Sequence, residues 1–218
     1  KLKAHFEASL TAERQACAPP NPLAPAPGAP TPSASRAAAL APAPLEALAE
    51  YQRLEPQFDG YRAPRERASE LALELLAAEE EVNRAWAAQL TGMAPVDQEA
   101  YRESLIGAGR FLSRGSLHVF GWWRTQGRYQ EVVDTFQAQG EALELCALRH
   151  AAHPRVFEAM VNNALGAFLD SGEAAHITLA VELVERLESV LSWESSEPTY
   201  QLACIFARAG RTDRALAF

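Results

Sequence analysis

The sequence predicts an all-α protein built from antiparallel helical hairpins. From Leu45 onward, apolar residues recur every three or four positions, which is the spacing of one helical face. No stretch alternates apolar and polar residues over more than a few positions, as a half-buried strand would. Glycines and prolines occur where such helices would end or begin. The chain therefore falls in the helical class, with no predicted sheet.

Composition limits the classes of ligand. Twenty Lys and Arg against 28 Asp and Glu give a net charge of −8, and Lys1 and Lys3 are the only lysines. A net acidic surface argues against nucleic acid, because phosphate contacts require a basic surface. No run approaches the roughly 18 to 20 apolar residues of a membrane helix. We expect a protein that binds neither nucleic acid nor a membrane.

The cysteines bear on location. Cys17, Cys146 and Cys204 are odd in number and scattered, so they do not form a disulfide framework. This pattern predicts a reducing, cytoplasmic environment. The Ala- and Arg-rich composition suggests a GC-rich bacterial source.

The first 44 residues divide into two parts. Residues 1–17 predict an N-terminal helix with Leu2, Phe6 and Leu10 on one stripe. Residues 18–44 contain nine prolines and a single charge, a composition too poor in large apolar residues to fold alone. We interpret them as a Pro/Ala-rich linker. The alternative is a docking segment, since Pro-rich chains bind grooves lined by aromatic rings such as Trp122 and Trp123.

Residues 45–114 predict a region of additional N-terminal helices. The first helix runs from Leu45 to Phe58, and the second runs from Arg65 to Leu90 after a first-turn proline. Pro95 opens a third helix, whose apolar stripe reaches Leu112. Gly115 is expected to separate this region from the C-terminal half of the chain.

Residues 115–218 predict three helical hairpins in one phase. Gly127, Gly172 and Gly210 each follow an aromatic residue by four positions, namely Trp123, Phe168 and Phe206. Glycine ends helices well because it adopts the left-handed conformation without a Cβ penalty. We expect the three aromatic residues to lie in the core. The glycine separations of 45 and 38 residues require extra residues between hairpins.

The last hairpin, Thr199 to Phe218, carries a family resemblance. Leu202-Ala203 stand at a Leu-small pair, Phe206 at an aromatic position and Ala215 where a second helix crosses the first. This pattern resembles the tetratricopeptide repeat, although the Trp of that pattern is missing. The resemblance implies a short right-handed superhelix, a TPR-like solenoid of stacked helix-turn-helix repeats.

The resemblance also implies a binding surface. In proteins of this family the first helix of each repeat lines a concave groove, where partners dock. Such a groove suits a peptide. Asparagine amides of the groove can hydrogen-bond the peptide backbone, and arginine guanidinium groups can pair with the carboxylates of the peptide. Trp122 is also a candidate partner contact, because on a helix it is turned about 100° away from Trp123, the expected core residue. The candidate partner-binding residues are Trp122, Arg124, Asn162, Asn163, Tyr200 and Arg208.

The sequence also bears on metal binding and catalysis. Cys146, His150 and His153 are spaced i, i+4 and i+7, which would place a thiolate and two imidazoles on one helical face for a metal such as zinc. No fourth ligand is evident, and the histidines suit a helix C-terminus equally well. No motif of nucleophilic catalysis or phosphate binding occurs. We therefore predict no cofactor and no enzymatic activity.

The predicted function is a protein–protein interaction module, acting as a scaffold, adaptor or regulator through a protein or peptide partner. Two alternatives remain open: an immunity or inhibitor protein that blocks one bacterial toxin or effector, and a metal-binding regulatory domain. The last repeat leaves Leu216 and Phe218 without a complete second helix. We expect another chain, or further sequence, to cover them.

Overall fold

The computed structural model describes residues 43–58, 65–193 and 197–218, which all belong to one compact unit. These residues form ten helices and no strand, so the predicted all-α class is confirmed for them. In chain order the helices are α1 (Ala43–Leu54), α2 (Arg65–Thr91), α3 (Pro95–Gly107), α4 (Arg114–Thr125), α5 (Tyr129–Glu141), α6 (Leu143–Ala152), α7 (Pro154–Asp170), α8 (Ala174–Glu188), α9 (Glu197–Arg208) and α10 (Thr212–Ala215). The predicted helix 1–17 and linker residues 18–42 lie outside the described ranges.

The N-terminal region departs from the sequence prediction at its end. The third helix, α3, ends at Gly107 rather than continuing through Leu112. Gly109 follows with φ +60°, a left-handed conformation that stops the helix. Gly115, which we expected between two regions, lies inside the first turn of α4. There it packs closely against α2, and an added Cβ would lie 2.8 Å from the Glu79 carboxylate.

The three predicted hairpins are present as α4–α5, α7–α8 and α9–α10. The glycines between their helices have φ values of +70°, +72° and +72°, which confirms the predicted left-handed helix ends at Gly127, Gly172 and Gly210. The longer separation between the first two glycines is explained by α6, a ten-residue helix inserted between α5 and α7.

An aromatic chain joins the first two hairpins. Phe120 stacks with Trp123 at 6.5 Å between ring centroids and meets Phe136 edge-on at 6.3 Å. Phe136 in turn meets Phe168 edge-on at 6.2 Å. Trp123, Phe168 and Phe206 are all fully buried, as predicted. Each such pair adds about 0.5 to 1.5 kcal/mol beyond the burial of its area.

Helices α4, α7 and α9 lie side by side and run in the same direction. Near the start of α4, Leu117 contacts Asn163 in the middle of α7, whereas Arg124 at the end of α4 contacts Asp170 at the end of α7. Arg208 at the end of α9 likewise reaches Leu169 at the end of α7. The first helices of the three hairpins therefore form one layer with α7 in the middle. Among the described residues, no helix is long and apolar enough to cross a lipid bilayer.

Candidate functional site

The layer of α4, α7 and α9 has one side in the core and one side that carries polar groups; we call the polar side the α4/α7/α9 face. Its residues are Leu117, Gly121 and Arg124 of α4, Asn162, Asn163, Gly166, Leu169 and Asp170 of α7, and Tyr200, Cys204 and Arg208 of α9. Five of the six predicted partner-binding residues lie on it. The exception is Trp122.

Arg124 lies across the gap between α4 and α7. Its Nε donates a hydrogen bond to Asp170 Oδ2 at 2.6 Å. Its guanidinium covers Gly166 so closely that an added Cβ there would lie 2.2 Å from Nη1. Glycine at 166 therefore allows the guanidinium to lie this close to α7.

The two asparagines have different roles. Asn163 Nδ2 donates to the Leu117 carbonyl at 3.2 Å, so this amide joins α7 to α4. An added Cβ at Gly121 would lie 3.1 Å from the same Nδ2, which shows how closely the two helices approach. Asn162 is half-buried, and its side-chain oxygen has no hydrogen-bond partner among the described residues. That oxygen is itself buried, unlike the exposed ring of Tyr200.

Helix α9 contributes a stripe at four-residue intervals. Tyr200 is 72% exposed, and a hydrogen bond with the side chain of Cys204 raises the pKa of its phenol. Arg208 is exposed, and its Nη1 donates to the Leu169 carbonyl at 2.9 Å. This arginine therefore satisfies a C-terminal carbonyl of α7, where a positive charge is favourable.

Trp122 is turned away from this face. Its ring meets Phe58 edge-on at 5.7 Å, and the Arg128 guanidinium lies 5.7 Å from the ring centroid. Trp122 remains half-buried, so part of the ring is already used in packing α4 against the residues after α1. Its role as a partner contact stays a prediction.

The three predicted metal ligands do not converge. Cys146 is buried and its thiol contacts the Gln139 carbonyl, while burial raises the pKa of that thiol. His150 Nε2 lies 3.2 Å from Glu158 Oε1, and His153 Nε2 lies 3.2 Å from the Gly109 carbonyl.

The geometric reason is that α6 ends at Ala152. His153 has φ −147° and ψ 72° and joins α6 to α7, so it cannot continue the helical face of Cys146 and His150. Across the described ranges, no group of three or more Cys, His, Asp or Glu residues could hold a metal ion. The described residues therefore do not bring Cys146, His150 and His153 together on one helical face.

A buried ionic network was not predicted from the sequence. Glu79 and Arg149 are 1% and 3% exposed, and Arg149 Nη2 lies 3.0 Å from Glu79 Oε1. The carboxylate also accepts hydrogen bonds from the backbone N–H groups of Gly115 and Ser116. The network joins α2, α4 and α6, and it fixes the start of α4 behind the α4/α7/α9 face.

The other two nitrogens of Arg149 also have hydrogen-bond acceptors. Its Nε donates to the Leu112 carbonyl at 2.8 Å and to Ser113 Oγ at 3.0 Å, and Nη1 donates to Gln139 Oε1 at 3.1 Å. Tyr51 is buried beside this network. Burial, with the nearby carboxylates of Glu79 and Glu55, raises the pKa of its phenol well above the usual value. These contacts describe a structural centre, because every charged group in it is already paired.

Comparison with known proteins found no matching family model, no matching curated protein and no matching solved structure.

Proposed function

We propose that this chain is a protein–protein interaction module and that its partner docks on the α4/α7/α9 face. The observation that carries the proposal is the side-by-side, parallel arrangement of three helices whose outer side combines an exposed aromatic ring, amides and guanidinium groups. Tyr200 offers a large amphipathic surface, and aromatic and arginine residues are enriched in protein interfaces. The chain would act as a scaffold, adaptor or regulator rather than as an enzyme.

The arrangement also supports a TPR-like solenoid as the finer description of the fold. The order of helices, with the first helix of each hairpin beside the first helix of the next, is what a stacked array of hairpins requires. The positive φ at Gly127, Gly172 and Gly210 repeats the same turn three times. A cytoplasmic location is consistent with Cys146 and Cys204, which are both free thiols.

The test uses Tyr200→Ala together with Asn162→Ala. Tyr200→Ala removes the exposed ring, and Asn162→Ala removes the amide whose buried oxygen has no partner among the described residues. Both changes leave intact Arg124 and Asn163, which join α4 to α7. The immobilised protein captures partners from an extract of its source cells, and a stoichiometric partner should be lost from the double variant. The captured protein should then bind the purified chain directly in calorimetry, with a dissociation constant weakened at least about tenfold by the double change, since one interface anchor is worth about 2 kcal/mol.

Matched control variants are available outside the face. Leu73 on α2 and Val96 on α3 are 58% and 85% exposed, so Leu73→Ala and Val96→Ala remove similar exposed apolar surface. The proposal requires these variants to capture the partner as the unchanged protein does. Equal loss in both sets, or retention in both, would contradict docking on the α4/α7/α9 face.

A further inference from the structure

The C-terminal end of the α4/α7/α9 face carries two arginines, Arg124 and Arg208, and one acidic residue, Asp170. Arg124 and Arg208 both contact the end of α7, where Arg124 bonds the Asp170 carboxylate and Arg208 bonds the Leu169 carbonyl. Arg208 donates to a neutral carbonyl and has no ion pair within the described ranges. Of these two guanidinium groups, that of Arg124 is paired with a carboxylate and that of Arg208 is not, on a chain whose net charge is −8.

The bond between Arg124 and Asp170 is accessible to solvent. The two side chains are 30% and 41% exposed. Exposed ion pairs contribute little to stability, because water and salt screen them. Asp170 is also the last residue of α7, where the helix dipole disfavours a negative charge. A second carboxylate can therefore compete for Arg124 without opening the core.

We propose that the partner presents an acidic peptide segment, and that one of its carboxylates takes the place of Asp170 at Arg124. Asp170 then acts as an internal competitor that lowers the affinity of the face for acidic segments. This inference rests on the proposed function, because it names the chemistry of the partner that docks on the same face.

The shape of the site agrees with this exchange. The guanidinium of Arg124 lies against Gly166, so its position is set by α7 as well as by Asp170. A guanidinium presents its donors as a planar fork, which can bind a carboxylate through two parallel hydrogen bonds. Arg208 of α9 supplies a second cation for a neighbouring acidic residue of the same segment.

The test begins with a phage-displayed library of random 12-residue peptides selected on the immobilised, unchanged chain. We expect the enriched peptides to carry more Asp and Glu than Lys and Arg. A fluorescein-labelled copy of the most enriched peptide is then titrated by fluorescence anisotropy. Arg124→Gln should weaken its binding about fivefold or more, and binding should weaken as salt is raised, because the contact is between opposite charges.

The decisive variant is Asp170→Asn, which removes the internal competitor. We expect it to tighten the labelled peptide about two- to fivefold, the range that corresponds to the small contribution of an exposed pair. Asp134→Asn is the matched control, because Asp134 is exposed on α5 and its replacement changes the net charge by the same amount. The control should leave the affinity unchanged, and circular dichroism verifies that each variant remains folded.

Several outcomes overturn the inference. These are enrichment of neutral or basic peptides, no enrichment at all, weaker binding by Asp170→Asn, or equal tightening by Asp170→Asn and Asp134→Asn. A captured partner that is lost with Tyr200→Ala and Asn162→Ala would leave the proposed function standing in each of these cases. Failure of the docking face is therefore distinguishable from failure of the acidic-segment inference.

Discussion

Replacing Arg149 by Met should destabilise the protein more than any exposed charge substitution. The change leaves the Glu79 carboxylate 1% exposed and without its cation, and it removes donors from the Leu112 carbonyl and Gln139. Breaking a buried ion pair by removing one partner costs about 3 to 5 kcal/mol. That loss is a large part of a typical total stability of about 5 to 15 kcal/mol.

The size of the effect can be measured by urea unfolding, followed by circular dichroism. With a urea dependence of about 2 kcal/mol/M, the loss corresponds to a midpoint lower by about 1.5 to 2.5 M. Arg84→Met is the matched control. Arg84 lies on α2 at 3.7 Å from Glu80 with its side chain 73% exposed, so its loss should change stability by less than about 1 kcal/mol.

A double-mutant cycle separates the ion pair from the packing of the methylene groups. Glu79→Leu and Arg149→Met together should cost less than the sum of the single changes, because neither charge is then left alone in the core. If Arg149→Met alone lowers the free energy of unfolding by less than about 1 kcal/mol, or if the two changes are additive, the buried network does not stabilise the start of α4 as argued.

Two further predictions concern stability. The pKa of Tyr51 is raised because the folded state favours the neutral phenol. The contribution of Tyr51 to the free energy of unfolding is therefore fully present below the ordinary tyrosine pKa of about 10 and is lost as pH rises above it. Tyr51→Phe should give a shallower loss of stability above pH 10 in urea titrations, whereas a slope equal to that of the unchanged protein would contradict this assignment. Gly172→Ala should lower the free energy of unfolding by about 1 to 2 kcal/mol, because φ at this position is +72°. Gly107→Ala should leave stability unchanged or raise it slightly, because an added Cβ at this position in α3 meets nothing within 4 Å. Thermal unfolding measures both, and equal shifts would refute the conformational explanation.

The features that could be predicted from the sequence are those set by short-range pattern. Gly127, Gly172 and Gly210 are predicted helix ends because a local apolar period stops at each of them, and all three have positive φ. Trp123 and Phe168 are predicted core residues from their position before those glycines, and both are buried. The conformational preference of glycine and the helical period are local properties, so their effects can be predicted without knowledge of the tertiary structure.

The differences between the sequence prediction and the structure have a tertiary cause. Gly115 resembles a helix breaker in sequence, yet it is needed because α4 approaches the Glu79 carboxylate too closely for a Cβ. The zinc hypothesis requires one helix to continue through His153, but α6 ends one residue earlier. The buried network did leave a signal: Glu79 falls at the apolar spacing of Leu75 and Val82, where an acid requires a buried partner.

The polar face was predictable only in part. The positions facing away from the core follow from the helical period, which places Arg124, Asn162 and Arg208 outward. The helical period does not predict which hydrogen-bond partners these side chains have. That Asn163 joins two helices while Asn162 leaves its oxygen without a partner depends on the distance between α4 and α7. The close approach is set by Gly121 and Gly166, whose role in packing has no signature in the sequence.

Cys204 and Cys146 differ in exposure, so their reactivity can report local opening of the fold. Cys204 is partly exposed on α9, so a maleimide reagent should reach it in the native state. The Cys146 thiol is buried against the Gln139 carbonyl, so alkylation there must wait until α6 separates from α5. The ratio of the two alkylation rates therefore records how often the inserted helix opens.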